Sequence, residues 1–309
     1  MEPFLSSAFD YQFFHIRPAT NLNYYLDYAT TYAKLLARLA GSNYDGIIVW
    51  NYYYVPIIAK RKEKRIVDVT DITRPITHNR LAKGLAVDIV QDRFFQAMDM
   101  IIVQVVEKIR EFAERYPGVM VRYVPNGVDV NHFRPDPGIP KEYDCCFLGK
   151  IEEQYHVTDI IEAIAISGVK ALFIGGGRDL EKYREMAGLR GADVTFQGLV
   201  PHEDVPGLLN RCRFGLQPAK HGGPLKLYEY LACGLPVISR QPGDESLREG
   251  IFLAPQGTAD QYAEKLSELS GMSGDEYEGL SRMCRKESLG FSLESMGSKY
   301  CEAISEVID

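Results

Sequence analysis

The chain has 309 residues, of which 46% are hydrophobic and 25% charged, and its formal net charge is −7. That length accommodates two domains of roughly 100 to 200 residues, each with a sizeable core. No stretch approaches the ~18 consecutive apolar residues of a membrane span, and the N-terminus lacks a basic segment followed by an apolar one. A cytoplasmic location and no nucleic-acid partner are therefore expected.

All six cysteines (Cys145, Cys146, Cys212, Cys233, Cys284 and Cys301) fall in the second half without C-x-x-C spacing. They read as small buried hydrophobes, not as a zinc site or a disulfide frame. Charge divides unevenly: residues 1–125 carry 16 Lys and Arg against 13 Asp and Glu, whereas residues 126–309 carry 19 against 29. The difference marks two units. The first contains the run Lys60-Arg61-Lys62-Glu63-Lys64-Arg65, which is either a solvated helix end or a patch for an anionic membrane surface or acidic substrate.

In chain order, Tyr11–Ile16 is β-prone and Leu22–Leu39 has helical spacing before Gly41 stops it. Gly46–Trp50 reads as a strand, Val55–Lys62 as a helix and Arg65–Val69 as a strand. After a loop near Pro75, Asn79–Met98 reads as a helix, Met100–Val103 as a buried strand, Val105–Arg115 as a helix and Met120–Val124 as a strand. Continuous apolar strands alternating with helices predict a parallel sheet covered on both faces.

Pro125-Asn126-Gly127 breaks the pattern, and Pro135, Pro137, Gly138 and Pro140 follow, which sets the domain boundary at 125/126. A second run then gives strands at Asp144–Leu148, Ala171–Ile174, Val194–Gln197 and Phe214–Gln217. Helices at Thr158–Ile166, Leu180–Ala187 and His202–Cys212 alternate with them. A helix from Pro224 to Cys233 and strands at Pro236–Ser239 and Ile251–Ala254 come next, and three helical segments close the chain. The fold class is α/β, with two doubly wound parallel-sheet domains and a ligand cleft at the carboxyl ends of the strands.

The most informative stretch is His221-Gly222-Gly223-Pro224-Leu225-Lys226, which feeds the helix ending at Gly234. Pro at the helix start and Gly just past its end mark the boundaries well. A turn of small residues at a helix N-terminus leaves free N–H groups and a positive dipole end, which suits a phosphate. Lys226 adds a charge, and Glu229, three residues on, shares its face and has the acceptors to take a ribose diol. The alternative is an ordinary amphipathic helix with a solvated Lys–Glu pair. In the first half, Asp71 follows a strand and is placed either to activate or orient an acceptor or to stabilise a turn. His78 lies nearby, and Tyr52, Tyr53 and Tyr54 suit either sugar stacking or core packing.

Several segments together carry a resemblance: Val124-Pro-Asn-Gly-Val-Asp129 with Phe133-Arg-Pro135, Phe147-Leu-Gly-Lys150, Ile174-Gly-Gly-Gly177, Val194-Thr-Phe-Gln-Gly198 and Leu225–Ile238. In order and spacing they resemble the GT-B glycosyltransferases, and among these the large retaining glycosyltransferase family 4, or group 1, whose bacterial and archaeal members build cell-surface glycans and glycolipids. The similarity covers nearly all of residues 99–309. It implies an acceptor-side domain at 1–125, a nucleotide-sugar domain at 126–290 and a C-terminal helix over 291–309 returning to the first domain.

The resemblance also implies roles. Gly149 and Lys150 would meet the diphosphate of a UDP-, GDP- or ADP-sugar, with Lys226 as a second phosphate contact and no metal required. Glu229 would bind the ribose hydroxyls, Gly198, Leu199 and Val200 would meet the base, and Gly222, Gly223 and Leu225 would line the donor site. His221 stands where the family often has a Glu near the donor sugar, so His221 and Asp71 are the catalytic candidates. Tyr155, with His156 beside it, stands where a second cation is usual. The family's first strand, Gly-rich loop and helix are missing, so either the N-terminal domain is naturally short or the start lies upstream of Met1. The sheet edge left exposed favours a second copy or a partner chain covering it.

The implied activity is sugar transfer from a nucleotide-sugar donor to a glycan or lipid-linked acceptor, with retention and with peripheral membrane contact. The second reading is a catalytically impaired nucleotide-sugar-binding subunit of a larger transferase. A nicotinamide-dependent dehydrogenase is disfavoured, because Gly175-Gly-Gly-Arg-Asp-Leu lacks the third glycine of G-x-G-x-x-G.

Overall fold

A computed structural model describes residues 33–41, 43–50, 55–69, 92–219, 225–241, 247 and 249–308. The chain divides into two units, Met1–Pro125 with Met296–Asp309, and Asn126–Ser295. The expected strand at Tyr11–Ile16 and most of the expected helix at Asn79–Met98 lie outside the described residues.

The first unit holds a parallel sheet of β1 (Gly46–Val49), β2 (Lys64–Val69), β3 (Met100–Val103) and β4 (Met120–Tyr123), in that spatial order. Successive side chains of a strand point to opposite faces. Val67, Ile101 and Val103 accordingly pack with Phe95, Phe112 and Tyr116. Ile66, Met100 and Ile102 pack with Tyr300, Ala303, Ile304 and Val307 of the C-terminal helix Leu293–Ile308. Ion pairing of Arg122 with Glu306 ties that helix to β4. The helix after β1 is shorter than the spacing predicts, Val55–Ile58. In the basic run, Arg61 pairs with Glu63 and Arg65 with Asp99, whereas Lys60, Lys62 and Lys64 are exposed.

The second unit contains a six-stranded parallel sheet: β5 (Tyr143–Leu148), β6 (Ala171–Ile174), β7 (Val194–Gly198), β8 (Cys212–Gln217), β9 (Val237–Ser239) and β10 (Ile251–Leu253). Their spatial order is β10-β9-β8-β5-β6-β7. The chain winds outward from β5 through β6 to β7, then returns to β8 beside β5 and winds the other way. The β5/β8 boundary is therefore the topological switch point, where open α/β sheets bind ligands at the carboxyl ends of the strands. Strand residues Cys145, Phe147, Ala171, Phe173, Phe214 and Leu216 share a core with helix Val157–Ser167 and with Tyr262, Leu266 and Leu269 of helix Ala259–Ser270.

One helix differs from its expected span. His202–Asp204 forms a 3-10 turn, Val205–Asn210 an α-helix, and Cys212 already pairs with Tyr143 in the sheet. The Asn210 side chain ties the end of the helix to the loop before β5. Its amide donates to the Arg134 and Pro206 carbonyls, and its oxygen accepts from the Asp136 N–H. Five of the cysteines are buried and Cys301 is half-buried. Burial pushes the Cys233 and Cys284 thiols up to about 12, which removes them as nucleophiles.

Candidate functional site

The helix Leu225–Ala232 is the element around which the site is built. Leu227, Tyr228, Tyr230 and Leu231 are buried, so it is a core helix on most of its circumference. Gly234, at φ +74, ends it: a left-handed residue lets its N–H reach the Leu231 carbonyl and the next N–H reach that of Tyr230. Tyr230 sets its position on the sheet. The hydroxyl accepts from Leu148 N–H at 2.6 Å and donates to Leu216 O at 3.3 Å, so one side chain bridges β5 and β8 at the switch point. Gly215 makes room, since a Cβ there would lie 2.6 Å from the Tyr230 ring.

At this end of the sheet lies a cleft of about 470 Å³. Gly149 and Lys150 from the end of β5, Gly175 and Gly176 after β6, Leu199 and Val200 after β7, and Gln217 after β8 line it. His202, Leu225 and Lys226 complete the wall together with Tyr155. Backbone crowding explains the glycines. A Cβ on Gly175 would overlap the Gly149 carbonyl, and one on Gly177 that of Ile151. Only glycine permits the loops after β5 and β6 to approach so closely. Leu199 is 86% exposed at the rim, an apolar shelf beside cationic Lys150 and Lys226.

Glu229 is 2% exposed and is not part of the lining. Lys226 Nζ lies 3.1 Å from its Oε2 and 3.4 Å from its Oε1, and His202 Nε2 lies 3.3 Å from Oε1. A buried carboxylate is tolerable only when paired in this way. The carboxylate end of the Lys–Glu pair is thus buried, unlike the solvated surface pair of the alternative reading, while Lys226 keeps 33% exposure on the cleft.

The cleft brings together Gly149, Lys150, Leu199, Val200, Leu225 and Lys226, with Glu229 directly behind. Gly198 ends β7 and receives the Gly175 N–H on its carbonyl without lining the cleft. His221, Gly222, Gly223, Asp71, His78 and Tyr52–Tyr54 lie outside the described residues. Tyr155 faces the cleft, while His156, at φ 55, precedes helix Val157–Ser167 and meets Arg240 Nη1 at 3.2 Å. The sequence does not single out His202. The available signal is its position four residues past β7, at the same edge as the other strand ends. Among the described residues, no three His, Cys, Asp or Glu side chains are grouped to hold a metal ion.

Two parallel-sheet α/β units, with a cleft at the switch point of the second, make up the GT-B architecture, and a family match makes the second unit a glycosyltransferase domain. Residues 142–271, the core of the second unit, match the family described as glycosyl transferases group 1. Solved structures with the same fold include a sucrose-phosphate synthase from Thermosynechococcus elongatus, at 16% identity and a TM-score of 0.76, covering 94% of this chain and 81% of that one. Anabaena Alr3699/HepE, solved in complex with UDP, matches at 16% identity and a TM-score of 0.72, over 90% and 82% of the two chains. The apo lipopolysaccharide outer core galactosyltransferase WaaB matches at 16% identity and a TM-score of 0.63, over 91% and 81%. No curated protein matches the sequence. Among the described residues no helix is long and apolar enough to cross a membrane.

Proposed function

We propose that the chain transfers a glycosyl group, with retention, from a nucleoside-diphosphate sugar to a hydroxyl of a glycan or lipid-linked acceptor. The observation that carries this reading is the placement of Lys226, at the head of the Leu225–Ala232 helix, on the same cleft as Lys150. The departing nucleoside diphosphate gains negative charge as the glycosidic bond breaks. Two ammonium groups and a helix N-terminus stabilise that charge and favour the transition state over the bound donor. The reading gives this role to the lysines and none to a metal. Leu199 and Val200 supply an apolar rim for the base. Asp71 and His221 are assigned to the acceptor and donor-sugar sides, with Gly222 and Gly223 beside the donor.

The likeness to HepE, solved in complex with UDP, supports a nucleotide ligand, and the WaaB likeness supports a lipid-linked glycan as acceptor. Exposed Lys60, Lys62 and Lys64 support contact with an anionic membrane surface. The test is nucleoside-diphosphate release from UDP-, GDP- and ADP-sugars, with lipid extract as acceptor in anionic or neutral vesicles, with and without EDTA. Release from one donor, faster on anionic vesicles and indifferent to EDTA, is expected. Nucleotide binding without release on any acceptor would favour the non-catalytic subunit.

A further inference from the structure

His202 has no role in the reading above, yet among the described residues its side chain joins that of Lys226 in contacting the Glu229 carboxylate. Its ring is braced. The centroid lies 5.2 Å from that of Phe133, which is buried, and 6.1 Å from that of His132. These rings come from the loop that opens the second unit, so the imidazole is held between that loop and the Leu225–Ala232 helix. The side chain is nevertheless 64% exposed and lines the cleft.

We propose that His202 is a positioning residue that keeps Glu229 oriented for the ribose of the nucleotide when Lys226 leaves it. The inference rests on the nucleotide reading of the cleft. Lys226 is a compact charge on a flexible stem, free to turn toward a diphosphate. Its departure strips the buried Glu229 of its closest partner at the moment the carboxylate must accept from the ribose hydroxyls. His202, braced from behind, is the donor that remains. An ionised carboxylate offers about four acceptor positions, so one imidazole N–H leaves room for two hydroxyls. His202 therefore keeps the carboxylate compensated and fixes which lone pairs face the sugar.

The experiment is calorimetric titration of UDP, GDP and ADP, each against its 2′-deoxy form, into wild type, His202→Ala and His202→Gln, with thermal melts as a control. Wild type is expected to prefer the ribonucleotide by about tenfold or more. His202→Ala should bring ribonucleotide affinity close to that of the deoxy form while melting as wild type does. His202→Gln, whose amide N–H replaces Nε2–H, should restore most of the preference. A purely structural role for His202 would weaken both nucleotides equally. An unchanged ribo-to-deoxy ratio in His202→Ala overturns the proposal while leaving the nucleotide reading intact. Failure of wild type to bind any of the three overturns both.

Discussion

At the scale of single residues, Asp68, near the carboxyl end of β2, is a buried acid of the first unit. Burial pushes its carboxyl up to about 6, against the pull of the Tyr300, Gln104 and Trp50 donors facing it. A carboxyl with a raised folded-state pKa holds its proton more tightly in the native state. Its contribution to stability is full below the ordinary value near 4 and is lost as pH rises through about 6. The size is on the order of 3 kcal/mol, since each tenfold gain in proton affinity is worth about 1.4 kcal/mol. Asp68→Asn carries no charge at any pH, so its melting temperature relative to wild type should rise steadily from pH 4 to pH 7. A constant difference across that range would show that Asp68 is not held neutral. Legibility in the sequence differs among such residues. Lys226 and Glu229 stand out because i, i+3 spacing on a helix bracketed by Pro and Gly is a local pattern. His202 and Asp68 do not, because the groups they meet, Glu229 and Gln104, lie 27 and 36 positions away in the chain. Only the folded sheet brings them together.

At the scale of elements, the described strands are legible to within a residue or two, because continuous apolar runs between Gly and Pro punctuation have few other solutions. The overrun at His202–Cys212 has a different origin. Helical periodicity continues across Arg211, but Cys212 is drawn into the sheet beside Tyr143, and the Asn210 side chain holds the helix end to the Arg134 carbonyl and the Asp136 N–H. The Gly175–Gly177 segment is the turn from β6 into the helix Leu180–Arg190. Its positions are fixed by contact with the loop after β5, which only the β5–β6 pairing reveals. Gly175→Ala tests that element. With φ at +135 and the Gly149 carbonyl in the path of a Cβ, the loops must separate, at about 1–3 kcal/mol. The variant should melt lower and bind nucleotide more weakly, because Gly149 and Lys150 move with the displaced backbone. Gly191→Ala, at another positive-φ glycine with nothing within 4 Å of its Cβ, controls for backbone strain alone. Equal effects in the two variants would mean that loop approach contributes nothing.

At the scale of the whole molecule, the chain closes its first unit at Pro125, builds the second from Asn126 to Ser295 and returns to the first from Met296. Each unit has its own core and sheet, and the second holds the described cleft entirely within itself. The proposed nucleotide binding therefore rests on the second unit alone. The central claim is that the amino end of the Leu225–Ala232 helix captures a nucleoside diphosphate through Lys226 and Glu229. A ligand at 100 times its dissociation constant adds about 2.7 kcal/mol of stability, several degrees in melting temperature for a domain of this size. The direct measurement is thermal unfolding of wild type, Lys226→Ala and Glu229→Gln, each with saturating UDP, GDP or ADP. The account predicts that one of the three nucleotides raises the wild-type transition by several degrees and leaves both variants where they were. A wild type unmoved by all three, or variants that respond as fully as wild type, would contradict it.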